Sequence, residues 1–163
     1  MCIRDRASAG LFAITGPTGA GKSTLLDALC LALFGAVPRL NNTGRDAKVP
    51  DADGEIATGD PRTLLRRGTG EGYAEVDFVG IDGRRYRARW EANRAREKAN
   101  GKLQASRQSL RDLDSDQLLA SQKSDYKVQL ESRLGLNFEQ FTRAVMLAQS
   151  EFSAFLKAND NER

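Results

Sequence analysis

A chain of 163 residues suffices for one domain with a sizeable core. With 25 basic against 22 acidic side chains the formal charge is only +3, so affinity for a polyanion has to come from local clustering, not overall charge. Histidine is absent, which excludes His-based acid–base catalysis and His metal ligation. Cys2 and Cys30 lie in segments of different type, and Cys30 in an apolar stretch reads as a buried thiol of a reducing compartment, with no disulfide framework. The longest apolar stretch, 25–34, is interrupted by Asp27 and too short for a bilayer, and no secretory segment is visible, so a cytoplasmic protein without membrane contact is expected.

Residues 1–10 show neither alternation nor helical period and are expected to be disordered or foreign to the fold. Residues 11–15, Leu-Phe-Ala-Ile-Thr, read as a short buried strand, and 22–34 as a helix apolar almost all round, buried on most sides. Between them Gly16-Pro17-Thr18-Gly19-Ala20-Gly21-Lys22-Ser23 matches the phosphate-loop pattern G-x-x-x-x-G-K-S/T in the strand–loop–helix context the pattern requires. Gly16, Gly19 and Gly21 permit the positive φ values that turn successive N–H groups inward into a nest for phosphate oxygens. The helix N-terminus adds unpaired donors and the positive end of its dipole, Lys22 a full charge, and Ser23 a hydroxyl for Mg²⁺. A nucleoside triphosphate is the ligand this arrangement suits.

Gly35 reads as a left-handed C-cap, Pro38 follows it, and 39–61 turns polar and glycine-rich, which predicts a long surface loop. A hairpin comes next, and its register is set by charge. A two-residue turn at Asp82-Gly83 would put Arg87 and Arg89 on the apolar face. A three-residue connection, Ile81-Asp82-Gly83 with Gly83 left-handed, instead sets Phe78 against Tyr86, Val76 against Ala88 and Ala74 against Trp90. The opposite face then pairs Asp77 with Arg87 and Glu75 with Arg89, leaving Arg84, Arg85, Arg94, Arg96 and Lys98 with only Glu91 and Glu97 near them. Residues 103–119 predict a weaker hairpin turning at Asp112, Asp114, Ser115 and Asp116. Ser124 is expected to cap a helix ending at Gly135, and Asn137 another, with Gln140 in capping-box position and Phe141 on its apolar side. That helix stops near Gln149-Ser150, and a short one with Phe152, Phe155 and Leu156 follows.

The combination is specific. The run 11–35, then Arg67-Gly68-Thr69-Gly70-Glu71, Tyr86-Arg87-Ala88, Phe141-Thr142-Arg143 and the stretch 147–156 beginning Leu147-Ala148-Gln149-Ser150-Glu151 resemble, in order, motif blocks of the SbcC family, ATPases related to SMC and ABC-type proteins. The resemblance implies an α/β fold, the N-terminal lobe of an ABC/SMC-type P-loop NTPase head with an antiparallel β-hairpin subdomain and C-terminal helices. Its layout would be an N-terminal segment 1–10 outside the lobe and a lobe 11–163, holding phosphate loop 16–23, surface loop 39–61, β subdomain 71–119 and a helical part 124–157.

The resemblance further implies ATP and Mg²⁺ as cofactors, with Gly16, Pro17, Thr18, Gly19, Ala20, Gly21, Lys22, Ser23 and Thr24 around the nucleotide and Lys22 and Gln149 as catalytic residues. Ser23 and Gln149 would ligate the metal, Gln149 opening a Q-loop that couples nucleotide state to lobe rotation, a task a neutral amide suits as both acceptor and donor. Ser150 stands where a glycine is common. The basic hairpin has two readings: a salt-bridged solvated face, or contact with the DNA backbone by Arg85, Arg94, Arg96 and Lys98, towards which the family tilts. Implied partners are an SbcD-like metallophosphoesterase nuclease, DNA and a second ATPase head, in a nucleoid-associated cytoplasmic complex that processes double-strand breaks. The acidic Walker B strand, catalytic Glu and signature motif of such ATPases are not in the sequence, so the chain is expected to be an incomplete fragment that holds ATP without turning it over. The competing reading is a head fragment of a chromosome-organising SMC-type tethering protein.

Overall fold

The computed structural model describes residues 2–6, 11–41, 47–52 and 54–144. Strands β1 (Cys2–Arg6) and β2 (Leu11–Thr15) pair antiparallel, Ile3 opposite Ile14. The expectation of no regular structure across 1–10 therefore fails for β1: a ladder is made of backbone groups, which a polar stretch can offer to an apolar neighbour as well as any other. Helix α1 (Lys22–Phe34) has the boundaries its pattern predicts. Its burial differs from expectation, since Leu25 and Leu26 are exposed and burial begins at Asp27. Gly35 ends it with φ 62°, its N–H bonded to Leu31 O at 2.9 Å.

Helix α2 (Pro38–Asn41) and the hairpin β3 (Lys48–Asp51) and β4 (Gly54–Ala57) occupy the stretch expected to be a structureless loop. Val49 faces Ile56, and the tight connection carries Ala52 at φ 43°. A 3-10 turn, Pro61–Leu64, follows with Asp60 capping Arg62 N.

A meander of β5 (Glu71–Val79), β6 (Arg85–Asn93), β7 (Arg107–Asp112) and β8 (Gln117–Ala120) forms the main sheet, all antiparallel. The predicted β5–β6 register is the one observed, with Phe78 opposite Tyr86, Val76 opposite Ala88 and Ala74 opposite Trp90. Gly80 and Arg84 close the connection, and Gly83 takes φ 78°. The second hairpin turns at 113–116, Asp112 Oδ1 accepting from the N–H groups of Asp114 and Ser115.

Two helices complete the described fold: α3 (Lys123–Leu134) and α4 (Phe138–Ala144). The first starts at Lys123, so Ser124 lies inside it and Gln122 precedes it without a side-chain cap. The second has the predicted capping box, Asn137 Oδ1 accepting from Gln140 N at 2.9 Å and Gln140 Oε1 from Asn137 N at 3.0 Å.

The core lies between one face of the meander and helices α1, α3 and α4. Cys30, Leu33, Tyr86, Ala88, Leu110, Tyr126, Leu130 and Phe141 form one cluster, and Leu31, Ala32, Val37, Ala74, Trp90 and Ala92 a second. Phe34 joins α1 to α4 through rings 5.4 Å from Phe138 and 5.2 Å from Phe141. The Tyr126 hydroxyl sits 2.9 Å from both Ala32 O and Leu33 O, at the end of α1 where carbonyls lack helical partners.

The other face of the meander is a lattice of opposite charges. Arg87 bonds Asp77 through two nitrogens, each at 2.7 Å, and Arg89 reaches Glu75 and Glu91 while lying 4.0 Å over the Tyr73 ring. The side-chain hydrogen bond from Arg87 holds the Asp77 carboxyl below its ordinary value of 3.8. A depressed carboxylate contributes stability above its unfolded pKa and loses it as pH falls through the folded one. We therefore expect the urea midpoint to drop as pH falls below about 4, less steeply in Asp77→Asn. Tyr126→Phe, which removes the single hydroxyl proton that Ala32 O and Leu33 O share, should lower unfolding free energy by about 1–3 kcal/mol with an unchanged m-value.

Candidate phosphate-binding site

The loop leaves β2 and enters α1. Gly19 and Gly21 adopt φ 83° and 86°, whereas Gly16 is not among the residues with positive φ, so two of the three glycines do the turning. Gly21 is the N-cap of α1 and offers no side chain to its first N–H groups, and no acidic residue occupies the first turn. Those donors and the positive end of the helix dipole face an otherwise uncommitted end. Lys22 folds back over the loop, Nζ donating to Gly16 O at 2.7 Å and Pro17 O at 2.8 Å. Ala20 N reaches Pro17 O at 3.2 Å and closes the loop from within. Ser23 and Thr24 are exposed on the first turn. These groups suit a polyphosphate: the open N-terminus of α1, the Lys22 ammonium and the exposed Ser23 hydroxyl, which could ligate a divalent cation.

One turn beyond Ser23, Asp27 is buried at 9% exposure. Burial raises its pKa, and the charge of Arg39, whose Nε lies 2.8 Å from Oδ2, works against that rise. Sequence reading missed this pair, although an acid within an apolar helix at four residues from Ser23 is a visible signal. Asp27 and Arg39 line a cavity of about 270 Å³ with Thr24, Leu64, Arg66 and Thr69. Thr24, on the first turn of α1, is the residue of this lining nearest in sequence to the loop.

Of the basic residues singled out in the sequence, the structure brings few together as free charges. Arg85 is bonded to Asp114 through its backbone N–H at 2.9 Å and its Nε at 2.8 Å. Arg84 pairs with buried Asp112 at 2.6 Å, and Arg94 with Asp51 at 2.6 Å. These three were expected to lack near carboxylates, and the acids that meet them come from distant segments. Arg96 and Lys98 are exposed, and neither forms an ion pair among the described residues. Gln149, Ser150 and the helix with Phe152 lie outside the described residues. Among the described residues no helix is long and apolar enough to cross a membrane.

The fold and site thus define a mixed α/β domain that carries a phosphate-loop motif at the start of a buried-ended helix. Residues 6–163 match the family model described as AAA domain, and the chain belongs to that family. It is similar to the SbcC subunit of nuclease SbcCD from Pseudomonas aeruginosa, 69% identical over 96% of this chain, and to the protein of the same name from Rhodobacter capsulatus, 54% identical over 96%. A more distant relative, 29% identical over 93% of the chain, is "Probable DNA double-strand break repair Rad50 ATPase" of Aquifex aeolicus. The chain spans 13% of the length of each of these relatives. The SbcC resemblance carried by the motif blocks is therefore shown across nearly the whole chain.

Gly21 has open space where a Cβ would stand, so only its backbone angle resists substitution. Gly21→Ala should cost about 1–2 kcal/mol in urea unfolding. Gly54→Ala, equally open but without a positive φ, is the control and should cost nothing measurable.

Proposed function

We propose that this chain is the ATP-binding lobe of an SbcC-type ATPase, with the P-loop NTPase fold of an ABC/SMC-type head, acting in DNA double-strand-break processing. The observation that carries this reading is the loop itself: a full motif with two left-handed glycines, an uncapped helix N-terminus and a lysine resting on loop carbonyls. The names of the relatives support it. Residues 16–24 would hold the nucleotide. Lys22 would leave the carbonyls of Gly16 and Pro17 for the outer phosphates, and Ser23 would take Mg²⁺, with Gln149 as a second ligand. A Mg²⁺ held there would supply charge neutralisation for the phosphates. Hydrolysis belongs to the composite site made with a C-terminal lobe and a second head, and gates an SbcD-like nuclease partner in a cytoplasmic, nucleoid-associated complex. Contact with the DNA backbone falls to Arg96 and Lys98, with Arg85 and Arg94 committed to carboxylates that hold the sheet and its loop.

Binding of Mg²⁺–ATP by calorimetry tests the core of this. Lys22→Ala should weaken it by about 1.5–3 kcal/mol, on the order of ten- to a hundredfold in Kd, with little loss of stability. Unchanged affinity in a folded variant removes the phosphate-loop assignment.

A further inference from the structure

The main sheet ends in an open edge. Strand β5 lies at one side of the order β5–β6–β7–β8, and among the described residues no strand pairs with it on its other side. Which of its backbone groups are free follows from the two ends of its ladder with β6. Arg94 N donates to Gly70 O at 2.7 Å and Gly80 N to Arg84 O at 2.8 Å, and in the observed register both belong to the series of hydrogen-bonded pairs that runs through Gly72, Ala74, Val76 and Phe78. The alternate residues, Tyr73, Glu75, Asp77 and Val79, therefore aim their N–H and C=O groups away from β6.

The devices that usually blunt an edge are missing from this strand. It is nine residues long, contains neither proline nor lysine, and keeps one register along its whole pairing with β6. Burial is also unfinished beside it. On β6 the inward residues Tyr86, Ala88, Trp90 and Ala92 are all buried, whereas Val76 and Phe78 on β5 are only half-buried. On the outward face Tyr73 and Val79 are 66% and 67% exposed. One added strand would cover apolar surface on both faces.

Charge selects what can be added. Glu71, Glu75 and Asp77 give β5 three acids and no base. All three lie on the outward face, where an added strand sets its own side chains about 5 Å away, and like charges directly opposed there are destabilising. A second copy of β5 brings three more acids and is a poor complement. We infer that the β5 edge binds, by strand addition, an extended segment of a partner protein in which Lys or Arg alternates with aliphatic residues. The cations of that segment stand opposite Glu75 and Asp77, and its aliphatic side chains extend the inward row of Ala74, Val76 and Phe78. Backbone bonds to the four free residues supply affinity, and the alternation supplies specificity. Arg87 and Arg89 hold the two carboxylates in place from the β6 side, so these acids are ordered before the segment arrives.

The test uses the full chain and two labelled nine-residue peptides, one alternating lysine with valine and the other glutamate with valine. Binding is read by fluorescence anisotropy, and the place of binding by amide hydrogen exchange resolved by NMR. The lysine peptide should bind at least about tenfold more tightly than the glutamate peptide. It should slow exchange at Tyr73, Glu75, Asp77 and Val79 and leave Ala74, Val76 and Phe78 unchanged, because their N–H groups are already bonded to β6. Glu75→Lys with Asp77→Lys should invert the preference between the peptides. Val79→Pro, which removes an outward N–H and spares the ladder with β6, should weaken the lysine peptide. If the double variant does not fold, Val79→Pro is read alone by the same criterion. Equal binding of the two peptides, no binding to the folded chain, or protection that ignores the alternation overturns the inference. So does protection of the same four amides that rises with protein concentration in the absence of peptide, which gives the edge to a second copy.

Discussion

The hydroxyl of Tyr126 closes two carbonyls at the end of α1 from a position 94 residues away in sequence, and the working end of the molecule depends on that closure. Helix α1 carries the phosphate loop on its first turn and is covered only over its second half. Gly35 N–H satisfies Leu31 O, the Tyr126 hydroxyl shares its one proton between Ala32 O and Leu33 O, and Phe34 packs on both Phe138 and Phe141. A helix end buried without such partners would strand polar groups in the core. With them, α1 is a rigid rod clamped at one end, and its free end presents unsatisfied N–H groups in a fixed direction.

The meander supplies the clamp because its register segregates charge from apolar surface. Shifting β5 against β6 by one residue would put Arg87 and Arg89 where Ala88 and Trp90 now meet α1. The arginines this keeps outside are then neutralised by Glu75, Asp77, Glu91 and Asp114. An outer face whose β6 arginines are each matched by a carboxylate has less free charge to offer a polyanion, although Arg107 on β7 is exposed and forms no ion pair among the described residues. At the end of the sheet Arg96, Lys98 and Lys102 are exposed without ion pairs among the described residues, while Arg94 is tied to Asp51.

Legibility followed the range of the physics. The β5–β6 register, the left-handed Gly35 and Gly135, and the Asn137–Gln140 box are set by residues within a few positions of one another, and each could be read directly from the chain. The β3–β4 hairpin was hidden because Pro50 and Gly54 read as breakers, although a short edge ladder tolerates both. Helix α3 begins without a capping side chain, so Ser124 was a plausible but wrong start. The partners of Arg84, Arg85 and Arg94 lie 28, 29 and 43 residues away, and no local pattern announces a pair closed by tertiary structure. The phosphate loop was legible as a motif, while the share of each glycine in its turn and the Asp27–Arg39 pair beside it were not.

Lys22 shows how such a loop exists before its ligand arrives. An isolated ammonium facing a cluster of inward N–H groups would be repelled by the same positive field that makes the nest attractive to phosphate. Its bonds to Gly16 O and Pro17 O place the charge on the outward carbonyls instead. A phosphate bound by Lys22 would make this an exchange: two charge-assisted bonds to carbonyls would give way to bonds with an anion, and only the difference would appear as affinity. Because α1 has neither an acid in its first turn nor a capping side chain, nothing in the helix start competes with the incoming anion for those donors. Lys22 rests on exposed loop carbonyls, and an anion that drew it away would take over its charge without unfolding the loop, which β2 and α1 hold at its two ends.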